Sequence, residues 1–285
     1  MGVTINTNIA SLNAQRALGQ TQGALGGNLS RLSTGLRITK SADDAAGLAI
    51  SERLKSQIRS LSQAERNAND GISLLQTAEG ALNEVSGILT RMRELAVQSA
   101  NGTLGDTERG FLNQEVTALK DEIDRIANVT EFNGTNLLAG GTTGTTFNFQ
   151  VGIGATTNDS IDATLVGAEA ADLGAVTGGA VSSLAGVDIG SVTGAQNALA
   201  VIDQAISDVS SRRADLGAVQ NRLGVTVANL ASARENLSAA NSRIRDVDVA
   251  SETADLTRNN ILLQAGVSVL AQANQTPSVA LALLG

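Results

Sequence analysis

The apolar residues of this chain recur at a seven-residue spacing near both ends, and its middle lacks this pattern. The repeat of the second half consists of Ile202, Val209, Leu216, Leu223, Leu230, Leu237 and Ile244. The repeat of the first half consists of Leu75, Leu82, Leu89 and Ala96, interleaved with Ala78, Val85 and Met92. Spacings of three and four residues place such residues on one stripe of a helix, which a partner helix can cover. The Ile202–Ile244 stripe alone predicts a helix of roughly 60 Å at about 1.5 Å per residue.

Three zones follow from this pattern. The first, to about residue 136, predicts helix: a local start over 45–55 after the cap-type residues Asp43 and Asp44, a long helix over 61–100, and another over 107–128. The middle zone, 137–193, is rich in Gly, Thr, Ala and Ser. Its alternation over 147–151 and 160–165 predicts a small hairpin, and the rest has too few large apolar residues for a substantial core.

The third zone, from residue 194, is helical again, and each long helix has a stripe that must be covered. The weak middle zone cannot cover both. The simplest solution is a chain folded back on itself, with the middle zone as the distal turn. We therefore predict a mostly α fold: a long antiparallel coiled-coil bundle with a small β-hairpin region at the distal turn. Parallel self-association of each seam satisfies the periodicity equally well and stays an alternative.

Composition removes most catalytic chemistry. The chain has no His and no Cys, so thiolate or imidazole metal sites, Ser–His and Cys–His nucleophiles, and disulfides are excluded. Asp43 with Asp44, and Asp246 with Asp248, could be read as acid–base pairs or cation ligands. Helix capping explains them better, because nothing else catalytic accompanies them. We expect no enzyme activity, cofactor or metal.

Charge and hydropathy limit the partners. The net charge is −8, and no Lys or Arg occurs between Arg125 and Arg212, which argues against a nucleic-acid surface there. No apolar run approaches the roughly 20 residues of a membrane span. The first residues also lack the basic and apolar regions of a cleaved signal peptide. The protein is thus predicted to stay in the cytoplasm or to leave by a route that needs no cleaved signal.

Blocks of sequence at both ends carry a family resemblance. Those of the first half are 5–9, 31–38, 43–50, 66–72, 94–101 and 131–134, and those of the second half are 242–248 and 264–274. In this order they resemble bacterial flagellin, over roughly residues 1–150 and 195–285. Several long blocks in the family's order are far more specific than any single short motif.

The resemblance implies a filament subunit that polymerises for motility. Its terminal helices, 1–40 and 250–285, would line an inner tube, while 41–136 and 194–249 would form a helical rod domain. Residues 137–193 would be a vestigial middle region, where related proteins often carry large outer domains. The residues expected to pack in the filament core are Ile5, Ile9, Leu12, Leu25, Leu32, Val249, Leu256, Leu263 and Leu270.

The resemblance also implies a route and partners. The chain would be exported unfolded by the flagellar type III apparatus to an extracellular filament. Its partners would be other copies of itself, an export chaperone, the filament cap and the hook-junction proteins. Arg91, Leu95 and Glu115 align with flagellin positions implicated in binding a Toll-like innate receptor. A subunit–subunit or rod-surface role is the simpler interpretation of these three, and both can hold.

Three other functions remain alternatives. A hook–filament junction protein would have terminal helices of the same kind. A secreted carboxylate enzyme would need a paired-carboxylate site with convergent polar groups, and none is visible. A membrane-active amphipathic protein would need a basic face, whereas these seams are rich in Ala and Gly.

Overall fold

The computed structural model describes residues 7–139, 141–175 and 183–282, and over these the chain consists of long helices and two small antiparallel hairpins. This confirms the predicted fold class. The elements are α1 Ile9–Thr34, α2 Ala45–Ser99, α3 Asp106–Val129, β1 Glu131–Phe132, β2 Thr135–Asn136, β3 Thr145–Gln150, β4 Ser160–Leu165, α4 Val192–Arg245 and α5 Val249–Ala282.

Helix α2 is longer than the sequence predicts. Residues 45–55 and 61–100 were expected to form separate helices, but they belong to one, because residues 56–60 contain no Gly or Pro to interrupt it. Helix α5 likewise continues past Pro277 to Ala282. The break at residues 101–105 is where it was predicted. No described helix is long and apolar enough to cross a membrane.

The chain divides into two compact units, a terminal unit of residues 1–58 and 235–285 and a central unit of residues 59–234. In the central unit, α2 and α4 run antiparallel and bury the predicted seams. Leu75, Leu82 and Leu89 on α2 are fully buried, as are Val209 and Leu223 on α4. The apolar stripes of α2 and α4 are thus covered within one chain and not by parallel self-association.

Polar contacts along the α2–α4 seam set its register. Arg93 Nε donates to Asp203 Oδ1 at 2.7 Å, and Gln220 Nε2 donates to Glu79 Oε2 at 2.9 Å. Further along, Arg234 and Glu65 form an ion pair at 2.8 Å. From the first contact to the third, the residue number on α2 falls while the residue number on α4 rises. All three contacts therefore belong to one antiparallel register. The repeating aliphatic seam alone would not distinguish this register from one shifted by a heptad.

The predicted hairpin is confirmed as β3–β4, with Phe147 opposite Ala163 and Phe149 opposite Ile161. It lies against the side of α2. Asn67 Nδ2 donates to Gln150 O at 2.9 Å, and the Phe149 ring lies over Gly71, where an added Cβ would be 3.0 Å from it. The turn that follows α2 at Ser99 is roughly 40 Å further along, at about 1.5 Å per residue, so the predicted placement of the hairpin at the distal turn was wrong.

The rest of the middle zone contributes more core than its composition predicts, and that expectation was wrong. Leu138, Leu173, Leu184, Val187 and Ile189 are buried in the same cluster as the helix seams. These aliphatic residues are scattered rather than periodic, and they belong to the same buried cluster as the seams of the helices. Basic side chains hold the connecting backbone in place. Lys120 Nζ donates to the carbonyls of Ala185 and Val187, and Arg212 donates to those of Gly167 and Asp172.

In the terminal unit, α1 and α5 pair antiparallel. Helix α1 ends at Gly35, whose φ of 70° is the left-handed conformation that glycine adopts without strain. A short backbone bridge follows: Arg37 N donates to Arg245 O at 2.7 Å, and Val247 N donates to Gly35 O at 3.0 Å. The connection between α1 and α2 and the connection between α4 and α5 therefore lie side by side in this unit.

Candidate assembly surfaces

The α1–α5 pair of the terminal unit carries its large apolar side chains on the outside. Exposed positions are Ile9, Leu12, Leu29, Val249, Ile261, Leu262, Val267 and Val269. The buried positions of the two helices include the polar Ser11, Asn28 and Glu252. Single exposed apolar residues are ordinary, but a set this large along two paired helices is typical of an interaction surface.

Polar contacts also join the two helices. Asn8 Nδ2 donates to Ala273 O at 2.7 Å, and Ser11 Oγ donates to Asn274 Oδ1 at the same distance. Toward the other end of α1, Arg31 and Glu252 form an ion pair at 3.5 Å. These contacts fix the register of the pair while leaving most of its aliphatic surface outside.

The residues predicted to pack in a filament core lie on these helices, and none of those whose side chains the structure describes is buried. Leu25, Leu32, Leu256, Leu263 and Leu270 are half-buried. Ile9, Leu12 and Val249 are exposed, and Ile5 lies outside the described residues. The chain therefore does not cover the predicted stripe by itself.

Arg91 and Glu115, two of the predicted receptor positions, meet on the surface between α2 and α3. Arg91 Nε donates to Glu115 Oε1 at 2.9 Å, and its Nη1 donates to Glu94 Oε2 at 3.0 Å. The hydrogen bond to Glu115, followed by that to Glu94, raises the pKa of Arg91. One exposed cation thus bridges two exposed carboxylates, and the group presents a net negative surface.

Leu95, the third predicted receptor position, requires a correction. Its side chain is wholly buried in the α2 seam beside Ala96 and Met92, so it supports the surface from below and does not form part of it. Alignment by motif cannot reveal this, because burial depends on which side of α2 is covered by α3 and α4.

Arg109 has a structural role that the sequence analysis did not predict. It is buried at the start of α3, and its guanidinium donates to the carbonyls of Ser99, Leu104 and Asn101 at 2.8–2.9 Å. These carbonyls belong to the end of α2 and the loop that follows, and they lack partners from a continuing helix. The signal was present: Arg109, Val116 and Ile123 are seven residues apart, so Arg109 occupies a core position of α3.

The acidic residues considered for catalysis are helix caps and turn residues. Asp43 Oδ2 accepts from the backbone amides of Thr39 and Lys40, and Asp248 Oδ1 accepts from those of Ala250 and Ser251. Asp44 Oδ1 accepts from Gly47 N at 2.8 Å. Within the described residues, no cluster of three or more acidic side chains could hold a metal ion.

These surfaces define a class of protein: a helical subunit with an internally packed central unit and a terminal unit whose apolar residues face outward. The chain matches the bacterial flagellin N-terminal helical region over residues 5–143 and the bacterial flagellin C-terminal helical region over residues 199–284.

Relatives of known name support the same assignment. The chain is 47% identical to a flagellin of Bacillus subtilis (strain 168), over 98% of this chain and 99% of that protein. It is 48% identical to a flagellin of Halalkalibacterium halodurans, with the same coverage of each. A solved structure provisionally assigned as a flagellar hook-associated protein of Vibrio parahaemolyticus has a TM-score of 0.59, with 17% identity over 72% of this chain and all of that one, which shows the fold alone.

The chain therefore belongs to the bacterial flagellin family. Flagellin is a structural protein, so the chain is a subunit of the flagellar filament and not an enzyme.

Proposed function

We propose that the chain polymerises chiefly through α1 and α5, whose outward aliphatic residues are covered by neighbouring copies in the inner tube of the filament. Residues 1–40 and 250–285 form that tube, 41–136 and 194–249 form the rod, and 137–193 pack on the rod. The observation that supports this most is the exposure of Ile261, Val267 and the other aliphatic residues on the outer surface of the α1–α5 pair. Fully burying one such side chain contributes about 1.5–3 kcal/mol, so half-exposed ones gain about half of that.

The test is seeded polymerisation of the purified full chain. Sonicated filament fragments serve as seeds, and the product is sedimented and imaged by electron microscopy. We expect long filaments whose mass grows with the added monomer. A hook–filament junction protein, the alternative, would give only monomers and short oligomers in the same assay. That result would contradict the proposal.

We further propose that the subunit reaches the outside unfolded, through the flagellar type III apparatus, with an export chaperone and the filament cap and hook-junction proteins as partners. A helix pair that buries little apolar surface of its own supports this, because it is easily opened for transport.

A Toll-like innate receptor is a further proposed partner, bound at the surface of Arg91 and Glu115. Charge reversal in Arg91→Asp places a carboxylate among Glu94 and Glu115, so binding of a soluble receptor ectodomain is expected to weaken about tenfold or more, equivalent to about 1.4 kcal/mol. Surface plasmon resonance on the monomer measures this. Arg125→Asp is the matched control, since Arg125 is also exposed and also pairs with a glutamate, Glu122, at 2.7 Å. Equal affinity of the two variants would exclude the proposed receptor surface.

A further inference from the structure

One aromatic side chain of the central unit is unusually exposed to solvent. Phe111 on α3 is 64% exposed, although aromatic side chains usually bury most of their surface. Glu108 and Glu115 lie three and four residues from it, so both flank it on the same face of the helix, and both are exposed. We call these three residues the Phe111 patch: an aromatic side chain between carboxylates.

A hollow of complementary character lies elsewhere on the same unit, between the β3–β4 hairpin and α4. Its volume is about 620 Å³, and its apolar lining consists of Val151, Ile161 and Val225, of which only Val225 is largely exposed, at 63%. The uncharged polar residues of the lining are Thr157, Asn158, Ser160, Asn221 and Thr226. Arg222 is the charged residue that lines it. Among the residues that the structure describes, no carboxylate pairs with the Arg222 guanidinium. We call this site the Arg222 hollow.

The patch and the hollow are too far apart to meet within one chain. Glu115 contacts Arg91 on α2, and one half-turn along α2 Arg93 contacts Asp203 on α4. From Asp203 to Val225, α4 extends roughly 33 Å at about 1.5 Å per residue, and Phe111 lies on the far side of Glu115 from Val225. Two complementary surfaces that differ and lie apart on one subunit pair head-to-tail, which generates a ring or an open chain of copies.

We propose that the Phe111 patch of one copy docks in the Arg222 hollow of a second copy. The ring packs on Val225 and the edges of Val151 and Ile161, while the Arg222 guanidinium takes Glu108 as its ion-pair partner and lies over the face of the ring. A second copy is the occupant because the patch supplies the opposite charge and the aromatic group that the hollow lacks. This interface rests on the proposed polymerisation and adds a contact between central units to the one formed by α1 and α5.

Thiol cross-linking tests this contact directly, because the chain has no Cys. Filaments are grown from the double variant Thr107→Cys with Asn221→Cys and treated with a short bis-maleimide; Thr107 lies one helical turn from Phe111, Asn221 lines the hollow, and both are exposed, so Phe111 and Val225 stay in place. We expect a ladder of covalent dimers, trimers and longer products on a denaturing gel. The matched control is Thr107→Cys with Val129→Cys, since Val129 is also exposed but lies outside the hollow, and it should remain monomeric.

Charge reversal gives an independent readout that needs no thiols. Glu108→Arg and Arg222→Glu should each raise the critical concentration for polymerisation about fivefold, and the double variant should return to within about twofold of the original. Filaments without a ladder and without this rescue would overturn the docking contact and leave polymerisation standing. Failure of the unmodified chain to form filaments would instead overturn the proposed function itself.

Discussion

Deletion of residues 250–285 is expected to abolish filament formation completely while the central unit stays folded. The deletion removes nearly all of α5 and with it Ile261, Leu262, Val267 and Val269, half of the eight exposed aliphatic residues on the α1–α5 pair. It also takes away the partners of Asn8, Ser11 and Arg31 on α1. The central unit keeps its own continuous core, so its helical signal and cooperative melting should persist. Seeded sedimentation and circular dichroism measure the two outcomes.

A subtler variant separates loss of surface from loss of a helix. Ile261→Ser with Val267→Ser removes two exposed aliphatic groups and keeps α5, whereas Asn260→Ser with Gln264→Ser changes exposed polar positions of the same helix. We expect the critical concentration to rise at least about tenfold in the first pair and to change little in the second. Filaments formed by the truncated chain, or equal effects of the two pairs, would contradict assembly through the outer face of α5.

Replacement of Arg109 by Met is expected to destabilise the central unit strongly, by roughly 3 kcal/mol. Methionine fills much of the space but leaves the carbonyls of Ser99, Asn101 and Leu104 without their donor, at about 1–3 kcal/mol for each group that water cannot reach. For a unit of this size, that loss lowers the melting temperature by roughly 6–12 °C.

Arg125→Met is the matched control for that substitution. Arg125 is on the same helix and pairs with Glu122, but both side chains are largely exposed, so the change should cost less than about 0.5 kcal/mol. Chemical denaturation of the two variants measures the difference. Similar stabilities would mean that Arg109 does not hold the α2–α3 loop in place.

The parts of this fold that the sequence predicts are those governed by local periodicity. The seven-residue spacing from Ile202 to Leu230 identifies one face of one helix, and the buried residues of α4 follow it closely. Alternation over residues 147–151 likewise predicts β3, since strands place successive side chains on opposite faces.

The parts that it does not predict depend on contacts between distant residues. From the sequence alone, Arg109 is expected to be an ordinary charged residue on the surface, because the carbonyls around it are not known. Leu95 reads as an accessible residue of a recognition motif until α3 and α4 cover it. Isolated aliphatic residues such as Leu173 and Ile189 have no period, so only their packing on the helices reveals that they are core.

Assembly sites are harder still to predict, because their stripes obey the same periodicity as internal seams. Leu256 and Leu263 follow the same spacing as Leu216 and Leu223, yet only the latter two are buried within the chain. Leu256 and Leu263 lie in the α1–α5 pair, where they are only half-buried, whereas Leu216 and Leu223 belong to the core that α2, α3, α4 and the β3–β4 hairpin share.

Amide hydrogen exchange tests the central claim most directly: that α1 and α5 are completed by neighbouring copies. In the isolated subunit, their amides should exchange far faster than those of α2 and α4 in the central unit. In sedimented filaments they should slow by about two orders of magnitude, while the central unit changes little. Equal protection of α1 and α5 in the subunit and in the filament would contradict the account.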